Sequence, residues 1–407
     1  MTASTLWLRL VPAYAAGYYL SYALRNVNAV ISPDLVAQFG LSDSHLGLLT
    51  STYFLAFGLF QLPLGVLLDH FGPRRVEVTL LLVAAVGCAV FGLAQNLGML
   101  ISGRALIGLG VSACLMGSFK AFSQWFPLER MPSLNATIMV AGGLGILSVS
   151  VPVAWALPIL GWRGIFGLIS ALLALSAFAL WFTPDATTPA TSKWRDQWRS
   201  LKAIYSHTTF WRFAPQGALV AGGGMAIQGL WMVPWLMQVD GFSRDQAAQL
   251  VLQVGGAMLC GFLLVATAST RMARMGLTPM RLLQLGVGLG LFAELSVITR
   301  SLPAPLSWML FGFAFSLTNI AYSQLAKAFA PELVGRANTA LNLAVFMGAF
   351  ALQWGLGAGL QHLAATGWAT VHAFQASLAV LLVLQTLAYA WFLWPGRDQP
   401  PPQRLAQ

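Results

Sequence analysis

Charge is scarce in this chain: of 407 residues, 22 are Lys or Arg and 12 are Asp or Glu, 8% in all. A water-facing domain carries roughly 25% charged residues, so a soluble globular protein is excluded. Disorder needs low hydrophobicity and high charge. It is excluded too, because 57% of the chain is hydrophobic and the mean hydropathy is +0.72. Cysteine is nearly absent. Cys88, Cys114 and Cys260 lie far apart in apolar stretches, with no CxxC pair or Cys/His cluster, so neither a disulfide framework nor a zinc site is indicated. The five histidines (His45, His70, His207, His362 and His372) fall in loops or near the ends of apolar runs, leaving no proton relay inside them. No Ser/His/Asp set or metal-ligand spacing occurs there either. The chain is therefore not read as an enzyme, and no cofactor or metal is called for.

What is present is long apolar sequence rich in Leu, Ala and Gly. Barrel strands alternate polar and apolar residues over about ten positions, whereas these runs reach the roughly 20 residues a spanning helix needs. Breaks at Gly, Pro and charge clusters predict twelve spans: 7–32, 45–68, 76–96, 98–125, 134–158, 163–183, 209–238, 246–269, 279–300, 303–328, 336–361 and 369–394. The first run has no small-residue cleavage site and reads as a spanning helix, not a removable signal. One long polar interruption separates a six-helix bundle at 1–183 from another at 209–407, with 184–208 as a central loop.

Basic residues set the expected orientation. Fifteen fall on one side: Arg9, Arg74, Arg75, Arg130, Lys193, Arg195, Arg199, Lys202, Arg212, Arg271, Arg274, Arg281, Arg336, Arg397 and Arg404. Three (Arg163, Arg244 and Arg300) fall on the other, and four lie within spans. This places both termini and the central loop in the cytoplasm, with the chain multi-pass in a cell membrane, a bacterial inner membrane. Topology thus accounts for the net charge of +10 without nucleic acid. The halves also repeat each other. Lys120-Ala121-Phe122, Pro127, Glu129 and Asn135 recur about 204 residues later as Lys327-Ala328-Phe329, Pro331, Glu332 and Asn338. Parallel repeats about a membrane-normal axis suit a transporter with its site between the halves.

The turn after helix 2 reads Gly65-Val66-Leu67-Leu68-Asp69-His70-Phe71-Gly72-Pro73-Arg74-Arg75. It resembles the cytoplasmic signature of the major facilitator superfamily. Helix 4 adds Arg104, Gly108 and Gly110, helix 5 adds Gly142, Gly143 and Gly145, and its exit adds Gly161-Trp162-Arg163. With Tyr22, Arg25, Asn28 and Pro33 on helix 1, the pattern is most similar to the anion:cation symporter and organophosphate antiporter branches. The resemblance implies an all-α membrane fold of twelve helices in two pseudo-symmetric bundles. It also implies a latch between Asp69 and Arg74, with Gly65 permitting close helix approach and Gly72 a tight turn. In the second half the Asp position is Thr270, so the equivalent latch is missing. Two acidic residues that this branch links to proton coupling are Leu24 and Val111 here, so that route is missing as well.

Ionisable groups within spans are costly and face the protein interior. Tyr14, Tyr18, Tyr22, Arg25 and Asn28 recur every three or four residues and form one stripe on helix 1. A guanidinium stays charged and grips a carboxylate or phosphate bidentately. Arg25 is therefore expected to hold an anionic substrate; the plainer alternative is an arginine satisfied by backbone carbonyls. A second wall is expected from Gln228, Trp231, Asn319, Tyr322, Asn338 and Asn342, each of which could instead be inter-helix glue. Lys120 and Lys327, at equivalent positions, are assigned a shared structural or gating task, and Arg104 a conformational one. Glu294 is read as the only acid well inside a span, a weak coupling candidate, with a place near the outer interface favoured.

The leading expectation is a secondary transporter of a small organic anion (a carboxylate, sugar acid or phosphate ester) working as a monomer by alternating access in the lipid bilayer. The runner-up is an exporter of drugs or lipophilic metabolites. That reading fits less well, because helix 5 lacks the Gly-Pro motif of drug/proton antiporters. Uptake versus export and the coupling ion stay open.

Overall fold

The computed structural model describes residues 3–127, 130–149, 151–184 and 202–394. Most of the expected central loop, with Lys193, Arg195 and Arg199, lies outside them, as do Glu129, Arg397 and Arg404. The first half contains α1 (Ala3–Phe39), α2 (Asp43–Phe71), α3 (Pro73–Gly92), α4 (Leu97–Trp125), α5 (Met131–Ser148 together with 151–160) and α6 (162–181). The second contains α7 (Thr208–Gln238), α8 (Arg244–Arg274), α9 (Pro279–Thr299), α10 (Ala304–Ala326), α11 (Pro331–Ala365) and α12 (Thr370–Leu393). No strand occurs among the described residues. Ten helices, counting 151–181 as one, are long and apolar enough to cross a membrane. With α1, and with α5 and α6 counted separately, the chain makes twelve passes, as the sequence predicts.

The turns follow from local chemistry. Gly72 takes φ 80°, a region open to glycine, and lets Pro73 start α3 directly after α2. Gly161, at φ 63°, breaks α5 from α6 in the same way. The Asn96 side chain caps α4 by accepting from the Met99 amide at 2.9 Å. α1 is longer than expected: Pro33 does not stop it, and Asp34 falls inside the helix. Away from water a backbone satisfies its polar groups most simply by staying helical. α4 opens briefly between Gly110 and Cys114. α7 carries two π-helical stretches, Gly217–Ala221 and Ile227–Trp231.

The end bearing Arg74 and Arg130 is here called the basic end, and the opposite one the far end. One apolar cluster runs through the first half and crosses into the second at the far end through Phe54, Trp231, Phe346 and Phe374. At the basic end the halves keep separate clusters, Leu64, Leu68 and Val76 in one, Phe213, Leu283, Leu325 and Leu341 in the other. Glycines allow the far-end closure. A Cβ on Gly47 of α2 would lie 2.9 Å from the Gln353 carbonyl oxygen of α11, and one on Gly58 would lie 3.0 Å from Phe346. The halves are joined at one end and parted at the other.

Candidate functional site

Between the halves a cavity, partly open to solvent, is lined by α1, α5, α7, α8, α10 and α11. Arg25 stands at its wall. Its side chain is 8% exposed, and its Nε has no hydrogen-bond partner. The guanidinium lies 4.5 Å from the ring centre of Tyr22, 5.3 Å from Phe346 and 5.6 Å from Phe57. Phe57 of α2 and Phe346 of α11 stack at 4.2 Å, so the arginine rests on aromatics from both halves. Among the described residues no carboxylate pairs with it. The charge is stabilised by ring quadrupoles, while hydrogen-bonding capacity is left for something else.

The opposite wall is polar and uncharged. Gln228 lines it and lies 3.6 Å from the Met258 sulfur; Asn319 is exposed to the cavity; and the Tyr322 hydroxyl donates to Asn342 Oδ1 at 2.8 Å. The structure adds Gln216, which sequence reasoning missed. It is fully buried at the cavity, and neither atom of its amide has a partner. Its position precedes the first π-helical stretch, whose wider turns shift which residues of α7 share a face.

Other expected members lie elsewhere. Tyr18 packs on α5, its hydroxyl 3.9 Å from the Met139 sulfur and its ring against Gly142. Asn28 ties α1 to α2 through Thr50 at 3.3 Å. Trp231 belongs to the far-end closure, where its indole donates to the Gln353 carbonyl at 3.0 Å. These three hold the walls apart or together without lining the cavity. Asn338 has a buried Oδ1 without a partner and does not line the cavity either.

At the basic end Asp69 is ion-paired with Lys120 of α4, not with the Arg74 the motif suggested. Arg74 instead donates to the carbonyls of Trp181 and Thr183 at 3.2 and 2.9 Å, where the last turn of α6 leaves acceptors unsatisfied. Among the described residues Lys327, which caps the end of α10, reaches only Gln324 of that helix, at 3.0 Å, so the two repeat lysines do not share a partner type there. The side chain of Thr270 lies outside the described residues. Gly65 is exposed on α2. Arg104 is fully buried and donates to the Leu24 carbonyl at 2.9 Å, which fixes α4 to α1 next to Arg25.

Glu294, on α9, is 3% exposed and lies within the second half. It is also not alone: Glu77 on α3 is fully buried, wedged against Gly17 and Gly117, with both oxygens unpartnered. At the far end Arg244 of α8 pairs with Asp34 of α1 and donates to the Val30 carbonyl at 2.7 Å, directly joining the halves. In the nearby α7–α8 loop, burial pushes the Asp240 carboxyl up. The Trp235 indole at 3.0 Å and Arg300 at 3.5 Å pull it back.

The sequence profile of the Major Facilitator Superfamily matches residues 14–353. The chain belongs to that superfamily. A hexuronate transporter of Escherichia coli (strain K12) is 25% identical over 170 residues, 42% of this chain and 39% of that one. A galacturonate transporter of Dickeya chrysanthemi is 27% identical over 165 residues, 40% of this chain and 48% of that one. The chain thus matches less than half the length of these curated relatives. The crystal structure of a D-xylose-proton symporter superposes with a TM-score of 0.77 at 17% identity, covering 97% of this chain and 98% of that one, which establishes the superfamily fold.

Proposed function

We propose that this protein is a secondary transporter of a small organic anion, of the sugar-acid class, working by alternating access. The observation that carries the reading is Arg25: a buried, permanently charged guanidinium at the inter-half cavity with no carboxylate partner among the described residues. Such a charge is costly in a membrane, and a substrate carboxylate is the countercharge that completes it. Around it, Gln216, Gln228, Asn319 and Tyr322 offer donors and acceptors suited to sugar hydroxyls, and Tyr22 offers a ring face. The similarity to hexuronate and galacturonate transporters supports the same class. A lipophilic cation, the cargo of a drug exporter, would meet Arg25 as a repulsive charge.

In this reading the basic end faces the cytoplasm of a bacterial cell, and the cavity is accessible from that side. The halves, 1–183 and 209–407, rock as units joined by 184–208, each monomer acting alone. The Asp34–Arg244 pair and the Trp231 contacts form the outer gate. Closing the basic end would bring another helix against Gly65. Asp69–Lys120 and the Arg74 contacts keep the first half rigid while it moves.

Uptake of a labelled hexuronate into proteoliposomes tests the proposal. Saturable uptake by the native protein, abolished in Arg25→Ala while the melting temperature in detergent is kept, is the expected result. Transport confined to cationic dyes, or hexuronate uptake unchanged in Arg25→Ala, would overturn it.

A further inference from the structure

A second, largely apolar pocket lies beside the Arg25 cavity, around Glu294. Val220 and Gly224 of α7, Phe315 and Thr318 of α10 and Gln385 of α12 line it together with the Glu294 carboxyl. Phe315 and Thr318 also line the Arg25 cavity, so two side chains separate the two spaces. Gln385 faces the same pocket as the carboxyl. Its amide orientation is set by Nε2, which donates to the Leu219 carbonyl at 3.3 Å. That leaves Gln385 Oε1 and Glu294 Oε1 as two buried acceptors, neither with a donor. A proton on the carboxyl supplies the missing donor and satisfies both. No other charged or titratable side chain lines the pocket from α7, α9, α10 or α12. Tyr389, one turn further along α12, gives its hydroxyl to the Gln284 carbonyl at 2.8 Å. The other buried acid, Glu77, borders none of the cavities described here.

We propose that Glu294 is the coupling site of the transport cycle and carries one proton per turnover, with Gln385 as acceptor for its O–H. This rests on the anion-transport reading above. The carboxylate takes a proton from water when the pocket is reached from the far end and forms an O–H bond. It returns the proton to water at the basic end, and no electrons move. Phe315 and Thr318 link the two sites, because a shift of α10 that admits substrate also changes the hydration of Glu294. A monoanion travelling with one proton carries no net charge, so accumulation follows the pH gradient and is indifferent to membrane potential.

The experiment compares two assays in the same proteoliposomes: hexuronate counterflow without gradients, and accumulation under an inward proton gradient, each with and without an imposed potassium diffusion potential. In the native protein, accumulation is expected to respond to pH and not to potential. Glu294→Gln is expected to keep counterflow within about twofold while accumulation falls at least tenfold. Gln385→Leu removes the acceptor but leaves the carboxyl, and is expected to move the pH midpoint of accumulation by about one unit. Accumulation unchanged in Glu294→Gln would overturn the assignment. So would an unmoved midpoint in Gln385→Leu, which decides the matter if Glu294→Gln fails to fold. Native counterflow with accumulation that ignores the pH gradient overturns the coupling role and leaves the anion reading standing. Absence of any native hexuronate counterflow overturns the anion reading first.

Discussion

At the scale of single residues, the site depends on polar groups whose hydrogen-bonding capacity is only partly met within the chain. Arg25 was legible in the sequence because α1 is a regular helix, and polar residues at three- and four-residue spacing must share a face. Gln216 and Glu77 were not legible. π-helical turns displace the periodicity after Gln216, and the burial of Glu77 depends on Gly17 and Gly117 from two other helices. Arg25→Lys keeps the charge but loses the bidentate fork. It is expected to weaken substrate binding by about tenfold or more, measured by tryptophan quenching or competition. Gln216→Leu makes a sharper contrast. It removes two unpartnered buried polar atoms, so the melting temperature should hold or rise, whereas KM for the anion should increase roughly tenfold, the loss of about one to two hydrogen bonds. A parallel loss of both stability and affinity would show that Gln216 serves only packing.

At the scale of helices, the repeat seen in the sequence is real in backbone placement but unequal in chemistry. Lys120 has Asp69 across a helix boundary, while among the described residues Lys327 has only Gln324 of α10. Lys120→Ala is therefore expected to lower stability by about 1 kcal/mol or less, as a partly exposed pair would, and Lys327→Ala to leave it unchanged in thermal melts. Pairwise contacts of this kind are set by rotamers and neighbouring helices, so spacing alone suggested the wrong partner for Asp69. The α1–α3–α4 junction gives a second prediction. A methyl at Gly117 would run into the Glu77 carboxyl. Gly117→Ala is expected to destabilise the protein by about 1–3 kcal/mol, and adding Glu77→Ala should recover most of it. If the two changes were simply additive, the wedge between them would be refuted.

At the scale of the whole molecule, the twelve passes and the two halves followed from apolar run length and charge placement, since a bilayer allows few alternatives. Which end is closed did not follow. The sequence ended the first helix at 32, before Asp34, and counted Arg244 only as a topological charge. Their pairing needs two helices 210 residues apart in sequence to meet. Asp34→Asn should relax this contact and shift the population toward a far-end-open form by about fivefold, the worth of about 1 kcal/mol. The readout is reactivity of a cysteine placed beside Trp231. The position of the pair has a further effect. Asp34 lies nine residues beyond Arg25 on α1, about 14 Å at ~1.5 Å per residue. With Arg25 at the midplane of a hydrocarbon layer about 30 Å thick, the pair sits at the boundary with water, and both side chains are about a third exposed. Dissolved ions therefore reach it. Raising ionic strength on that face from about 0.1 M to 1 M shortens electrostatic reach from roughly 10 Å to 3 Å, which weakens the gate but not the aromatic-shielded arginine. The balance between the two facing forms should thus follow the salinity of the medium that bathes the far end, even with substrate affinity unchanged.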